Sequence, residues 1–338
     1  MRPRSRPPPR ALAPLVLLLL LPPVGCDRAP EPEGDPGSAP PELSEAAKLS
    51  GSPGSDPRHA EELETRLRDR IDQEGDTIRI SVGLLDLESG LRVEIDAHRP
   101  YHAASTMKVP VLLELYRQAE TGGRSVEAEV PVTNTFRSIH DGSSFTLEDD
   151  RDTGLISALD GELPARRIAA GMIQVSSNLG TNILLELLTP DSVQATMRTI
   201  GAEGMEVLRG VSDIPAFEAG LSNRTTAHSY LRTLEVIARC EITSTEACRE
   251  MMEILQGQEF TSEIPAGIPD EAFAQGTRVG NKTGSITGIL HDGAIVRPPD
   301  RAPYLLVILT EGYHDKDTGS TTMADLSRIV WTSLTPSP

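Results

Sequence analysis

Ser105 and Lys108 lie three residues apart where the apolar run VPVLLELY begins. A serine hydroxyl becomes an effective nucleophile only when a neighbouring base takes its proton. On a helix, a residue three positions further along lies on the same face, within side-chain reach. Burial and a nearby positive charge both disfavour a protonated ammonium, so a lysine in that setting can be the base. The alternative is a serine that caps a helix and an exposed first-turn lysine.

Two later motifs carry residues of the same chemical kinds. Ser176 and Asn178 belong to the stretch QVSSNLGTN, and Lys282 belongs to the stretch NKTGSITG. Each motif alone has a simpler explanation, because serine and asparagine cap helices and a Lys-Thr-Gly triplet can form a turn. The order of the three motifs, each in a suitable predicted element, favours one joint catalytic site.

The elements around these motifs predict an α+β fold. Apolar and polar residues alternate on both sides of Glu88-Ser89-Gly90, a pattern typical of a β-hairpin. Helical periodicity dominates roughly residues 105–260, and strand patterns return before a last helix near the end. We expect an antiparallel sheet built from both chain ends and flanked by helices, with an all-helical lobe inserted between them. The cleft where sheet and lobe meet is the usual place for a small-molecule site.

Taken together, the three motifs resemble the serine acyl-transfer signature of class A β-lactamases and penicillin-binding proteins. The resemblance spans most of residues 58–335 and includes the order of the elements. The second motif departs from the family's S-D-N, since Ser177 stands where an aspartate helps to hold the loop. The loop geometry is therefore where this chain is expected to differ, more than the chemistry of Ser176 or Asn178.

The resemblance implies three catalytic roles. Ser105 would form an acyl-enzyme with a β-lactam or a related amide. Lys108 would take the proton of the Ser105 hydroxyl, and the N-terminus of the helix would favour the negative charge that develops there. Ser176 would lie between the lysines and the leaving nitrogen and would relay a proton to it.

The resemblance also implies how the substrate is held. Asn178 would hydrogen-bond the substrate amide, and Lys282, with Thr283 and Ser285, would receive the substrate carboxylate. The backbone N–H groups of the nucleophilic serine and of Ser285 would form the oxyanion hole. Gly284 would leave room where the strand edge pairs with substrate.

The chain lacks the family's E-x-x-L-N pattern, whose glutamate activates the water that releases the acyl group. The corresponding stretch, VSDIPAFEAGLSN, offers only the carboxylates of Asp213 and Glu218. We predict Glu218 as the water-activating base, with a surface glutamate as the alternative. Without such a base the acyl-enzyme would persist, as in a D-Ala-D-Ala peptidase or another penicillin-binding acylator. A further alternative is a non-catalytic sensor of cell-wall ligands.

Composition excludes several other kinds of protein. The net charge of -18 argues against a nucleic-acid partner, which needs a basic surface to neutralise phosphates. The seven histidines are scattered, with no HExxH or clustered Cys/His motif, so no metal is expected. No nucleotide-binding glycine loop is present, and the resemblance implies no cofactor. The expected partner is a small β-lactam or cell-wall peptide substrate, and the expected protein is a monomer.

The first residues have the pattern of an export signal. Four arginines precede the apolar run LVLLLLLPP, and VGC then resembles a lipoprotein cleavage site. We predict a signal over residues 1–26, with Cys26 lipidated as the only membrane attachment or, alternatively, plain secretion. Residues 27–57 are rich in Pro, Gly, Ser and Glu and should form a disordered linker. Residues 58–338 then form the catalytic domain in the periplasm or cell envelope.

Two cysteines remain in the predicted domain. Cys240 and Cys248 are eight residues apart in a chain expected to reach an oxidising compartment. They can form a disulfide between two helices or remain two buried thiols.

Overall fold

A computed structural model describes residues 57–335. The predicted signal, Cys26 and the linker as far as Asp56 lie outside the described residues, so the predictions made for them are not addressed. Among the described residues, no helix is long and apolar enough to cross a membrane.

A five-stranded antiparallel sheet forms the centre of the described region, in the order β2-β1-β11-β10-β9. It is built from both ends of the domain, as the sequence predicts, and β1 and β2 form the expected hairpin. Three two-stranded ladders, β3-β8, β4-β7 and β5-β6, lie outside the sheet. The strands are β1 (Arg79–Asp86), β2 (Arg92–Ile95), β3 (Tyr101–His102), β4 (Glu129–Pro131), β5 (Thr135–Arg137), β6 (Ser144–Thr146), β7 (Glu162–Pro164), β8 (Arg224–Thr225), β9 (Arg278–Ile286), β10 (Gly288–Arg297) and β11 (Tyr304–Tyr313).

The helices include a group between β3 and β9 that forms the inserted lobe. The lobe is mainly helical, but it also carries the β4-β7 and β5-β6 ladders, which the helical periodicity did not predict. In the latter, Phe136 lies opposite Phe145 with ring centroids 5.9 Å apart, a cross-strand pair that stabilises a short ladder. The helices are α1 (Pro57–Ile71), α2 (Lys108–Glu120), α3 (Thr153–Ser157), α4 (Ala165–Gln174), α5 (Asn178–Leu188), α6 (Pro190–Thr199), α7 (Ile214–Glu218), α8 (Ala227–Arg239), α9 (Thr245–Gln256), α10 (Asp270–Ala274) and α11 (Lys316–Leu334).

Both faces of the central sheet are buried, and strand alternation decides which residue faces which core. On β11, Leu305, Val307 and Leu309 join the core that contains the lobe helices. Leu306 and Ile308, the residues between them, join a second core with α1 and α11. Each fully buried aliphatic side chain contributes about 1.5–3 kcal/mol relative to exposure. The sheet is thus held rigidly between two helical layers, and β9 at its edge can position a site.

The lobe is also cross-linked. Cys240, at the end of α8, forms a disulfide with Cys248 in α9. The pair joins two helices, which decides between the two alternatives that the sequence leaves open.

Candidate active site

The segment that carries Ser105 is held tightly before α2 begins. A 3₁₀ turn, Ala104–Met107, leads directly into α2, so Ser105 precedes the helix instead of opening it. The backbone N–H of Ala104 donates to His102 Nδ1 over 3.0 Å, and His291 Nε2 lies 3.0 Å from the His102 carbonyl oxygen. Burial lowers the pKa of His291 to about 4, so its imidazole is neutral and ties β10 to this segment.

Lys108 is completely buried and points at the second motif. Its Nζ donates to the Ser176 carbonyl oxygen at 2.8 Å, to Ser176 Oγ at 3.1 Å and to Asn178 Oδ1 at 2.9 Å. Burial, followed by the positive charge of Lys282, lowers the pKa of Lys108 well below its usual value. A buried lysine of this kind loses its proton readily and can then act as a base.

Lys282, on β9, approaches the same serine from the other side. Its Nζ donates to Ser176 Oγ at 3.1 Å and to the Thr283 carbonyl oxygen at 2.8 Å. Burial lowers its pKa to about 7, opposed by the carboxylate of Asp292. A hydroxyl has two acceptor lone pairs, and the two lysines use both at Ser176. The Ser176 proton is therefore available to a group in the cleft.

The backbone of Ser176 is strained in a way that suits this position. Its φ of +60° lies in the left-handed region, which costs a non-glycine residue about 1–2 kcal/mol. The conformation turns the chain immediately before α5 and presents the Ser176 hydroxyl to both lysines. A strained residue of this kind persists only where the surrounding structure holds it in place, and such residues cluster at functional sites.

Ser177 takes over a structural role at the start of α5. Its buried hydroxyl accepts the backbone N–H of Gly180 at 2.8 Å and caps the helix. Serine and aspartate are about equally good N-caps, so the departure from S-D-N leaves this helix start capped. The carboxylate at this position comes from Asp150, whose Oδ2 accepts the backbone N–H groups of Asn178 and Leu179 at 2.7 and 2.8 Å.

We expect Asp150→Ala to destabilise the fold and to alter Lys108. The substitution removes the acceptor of two backbone donors, a loss of about 1–2 kcal/mol, and we expect the unfolding midpoint to fall by several degrees. Since the Asp150 charge raises the pKa of Lys108, the acid limb of acylation should move to lower pH. Thermal unfolding and the pH dependence of acylation test this. Asp150→Asn, which keeps one acceptor oxygen, should lose less stability, and an unchanged midpoint in Asp150→Ala would contradict the assignment.

Gly284 allows β9 to approach the nucleophile segment. A Cβ at this position would lie 3.1 Å from the Ala103 carbonyl oxygen and 3.1 Å from the Ser105 backbone nitrogen. The glycine therefore brings Thr283 and Ser285 beside Ser105. A side chain at position 284 is therefore excluded first by this contact within the protein. The sequence had suggested contact with the substrate as the reason.

A cleft of about 190 Å³ contains most of the predicted residues. Arg151 stacks over the ring of Phe260, with 4.9 Å between its guanidinium carbon and the ring centroid, and Lys316 begins α11 beside the site. No motif marks these residues in the sequence, because they reach the cleft from three separate segments. The cleft is lined by Ser105, Arg151, Ser176, Asn178, Phe260, Glu263, Thr283, Ser285, Leu290 and Lys316.

Two buried carboxylates lie behind Lys282. Glu263 is 1% exposed; its Oε1 accepts from Ser320 Oγ at 3.1 Å, and its Oε2 has no partner among the described residues. Asp292 accepts from the Ile264 backbone N–H and from the amide of Asn281. Burial and the Glu263 charge raise its pKa to about 7. Glu263 is the carboxylate that lines the described cleft, and sequence reasoning missed it.

Glu218, predicted as the water-activating base, lies elsewhere. It is the exposed last residue of α7 and is not among the residues that line the cleft. Asp213, the other carboxylate of that stretch, is buried and caps α7. The structure therefore brings together the other eight predicted site residues and leaves Glu218 apart, so its role stays a prediction without a contact to support it.

Comparisons with known proteins agree with this geometry. A sequence model described as the Beta-lactamase enzyme family matches residues 62–334. A beta-lactamase of Bacillus amyloliquefaciens is 25% identical over 263 residues, which is 76% of this chain and 79% of that protein. Among solved structures, one named PBP-A gives a TM-score of 0.68 at 18% identity, covering 81% of this chain and 96% of that chain. The beta-lactamase of Sphaerobacter thermophilus DSM 20745 gives a TM-score of 0.65 at 21% identity, covering 84% and 100%. At these identities the structural likeness establishes the fold alone.

Proposed function

This chain belongs to the Beta-lactamase enzyme family and is a serine hydrolase, and from that premise we propose that it opens the amide bond of β-lactams through an acyl-enzyme on Ser105. The observation that carries the proposal is the position of Ser176 Oγ, which accepts hydrogen bonds from both Lys108 and Lys282. Two buried lysines with lowered pKa values around one hydroxyl form a path for protons beside the nucleophile.

In the acylation step, Ser105 Oγ attacks the carbonyl carbon and the C–N bond of the lactam breaks. The proton of Ser105 passes to neutral Lys108, and the leaving nitrogen receives a proton from Ser176, which is recharged from the lysines. The Nζ of Lys108 now donates three hydrogen bonds to Ser176 and Asn178, so it must first lose one of these protons before it can act as a base. The backbone N–H groups of Ser105 and Ser285 are proposed to hold the oxyanion.

Positive charge in the cleft supports an anionic substrate. Lys282 lies at its base beside Thr283, and the side chains of Arg151 and Lys316 are exposed among the residues that line it. These basic groups outnumber the one carboxylate that lines the cleft, Glu263, and an excess of one charge in a cleft attracts a ligand of the opposite sign. The carboxylate of a β-lactam or of a cell-wall peptide fits this requirement.

We expect kcat/KM for an anionic β-lactam to have a bell-shaped pH dependence. Acylation requires neutral Lys108, whose pKa burial lowers, so the rate should fall as pH drops through that pKa. It also requires charged Lys282, which attracts the substrate carboxylate. The pKa of Lys282 is about 7, so this attraction is lost as the lysine loses its proton with pH rising through about 7. Stopped-flow measurements between about pH 5 and pH 9 would define both limbs. Lys282→Arg, which keeps its charge, should remove the alkaline limb, and an unchanged limb in that variant would contradict the assignment.

A second candidate is a penicillin-binding acylator of the D-Ala-D-Ala peptidase kind. The position of Glu218 favours it, because no carboxylate from the stretch 211–223 lines the described cleft. Such a protein would acylate Ser105 and release the product slowly.

A stopped-flow time course of a chromogenic cephalosporin separates the two candidates. Sustained turnover that depends on Ser105 supports the β-lactamase, and Glu263→Gln then tests whether the buried carboxylate in the cleft activates water. A burst of one equivalent followed by no turnover supports the acylator. No burst at all would overturn both and favour the non-catalytic sensor.

For location, we propose export with a lipid anchor at Cys26. The arginine-rich start, the apolar run and the VGC sequence support this proposal. Incorporation of a labelled fatty acid should be lost in Cys26→Ala, and Cys26→Ala protein recovered wholly in the membrane fraction would contradict it.

A further inference from the structure

Two histidines and a glutamate converge on the surface away from the catalytic cleft. Glu94 lies on β2, His98 follows four residues later, and His228 occupies the first turn of α8. Glu94 Oε1 and Oε2 are each 3.1 Å from His228 Nδ1, and His98 Nε2 is 3.8 Å from Glu94 Oε2. One ligand atom from each of the three residues can be chosen so that all lie within 4.8 Å of one another.

Hydrogen bonding alone does not explain this cluster. The separation of 3.8 Å between His98 Nε2 and Glu94 is too long for a hydrogen bond, so His98 gains none from the carboxylate it faces. The two imidazole rings lie 4.4 Å apart between centroids, and both face the Glu94 carboxylate. A single divalent cation between the three side chains would give each of them a partner.

The geometry lies within reach of a coordination sphere. Zinc ligands at about 2.1 Å in a tetrahedral arrangement lie about 3.4 Å apart. The three chosen ligand atoms lie within 4.8 Å of one another, so a rotation of the side chains is needed to reach that spacing. His98 can rotate freely, since 76% of its side chain is exposed, whereas the backbone N–H of His228 is fixed to the Ala97 carbonyl oxygen at 2.9 Å.

A neighbouring arginine orients the carboxylate. Arg92 donates to Glu94 Oε1 at 2.9 Å and also contacts Glu235 at 3.3 Å. This arrangement leaves Glu94 Oε2 directed at the two imidazoles. Residues that do not touch the metal but hydrogen-bond one of its ligands are typical of metal sites and strengthen metal binding.

We propose that Glu94, His98 and His228 bind a divalent transition-metal ion, with zinc as the favoured occupant. Two imidazoles and one carboxylate suit zinc and similar ions, whereas magnesium and calcium prefer oxygen ligands. Three protein ligands on an open surface leave a coordination position for water. The ion links β2 and α8 to the segment that leads, seven residues after His98, to Ser105.

Zinc titration of the untagged, chelator-treated full chain by calorimetry tests the proposal. We expect one equivalent to bind and, at about hundredfold excess over Kd, the unfolding midpoint to rise by about 5–10 °C. The cobalt derivative should show visible absorption bands, and magnesium should give no heat. His98→Ala and Glu94→Gln should lose zinc binding and the bands, whereas His140→Ala, an exposed histidine elsewhere, should keep both.

Absence of stoichiometric zinc binding in the wild-type chain would overturn the proposal, and so would undiminished binding in both His98→Ala and Glu94→Gln. His98 is largely exposed, so its loss should leave the fold intact. Labelling of Ser105 by a fluorescent penicillin and thermal unfolding without zinc check the fold of each variant. Both readouts should match those of the wild type.

Discussion

Ser105→Ala is expected to abolish labelling by a fluorescent penicillin and to lower kcat/KM for a chromogenic cephalosporin by about 10⁴-fold or more. The hydroxyl forms the bond to the acyl group, and no other residue can replace it in that step. Ser176 also presents a hydroxyl in the cleft, but its two lone pairs accept from the lysines, so it is a poor nucleophile.

The stability of this variant should stay close to that of the wild type. Ser105 is half-buried, and removing one hydroxyl there leaves α2 intact. Ser157→Ala, at an exposed position on α3, is the matched control and should label normally. Labelling that survives in Ser105→Ala would show that the nucleophile has been misassigned.

Lys108→Met should lower the acylation rate by about 10³–10⁴-fold, the contribution typical of a positioned general base. The thioether fills much of the same buried volume but can neither accept a proton nor donate to Ser176. It also leaves Ser176 and Asn178 without the donor that now joins them. Stopped-flow acylation with single-turnover analysis measures the loss.

Lys108→Arg separates the base from the charge. A guanidinium keeps the positive charge but does not lose its proton in proteins. If Lys108 is the base, Lys108→Arg should be as inactive as Lys108→Met. An arginine variant that acylates at near the wild-type rate would show that only the charge matters, and thermal unfolding of both variants would exclude a folding defect.

Local sequence determined much of this protein. Successive side chains of β11 point to opposite faces of the sheet. Leu305, Val307 and Leu309 therefore pack into one core, and Leu306 and Ile308 pack into the other. The three motifs, in their order, identified the family. They also supplied the predicted site residues that the structure brings together, which are eight of the nine. These features are readable because strand periodicity and motif spacing depend on neighbours in the chain.

Other features were decided by tertiary structure alone. Ser176 meets Lys108 and Lys282 across 68 and 106 residues of sequence, and Asp150 completes α5 from a separate segment. Glu263 lines the cleft and Glu218 is exposed, although the sequence around these two glutamates does not distinguish them in this way. No periodicity records such contacts, because burial, pKa and hydrogen bonding of a side chain depend on groups that only the folded chain brings near.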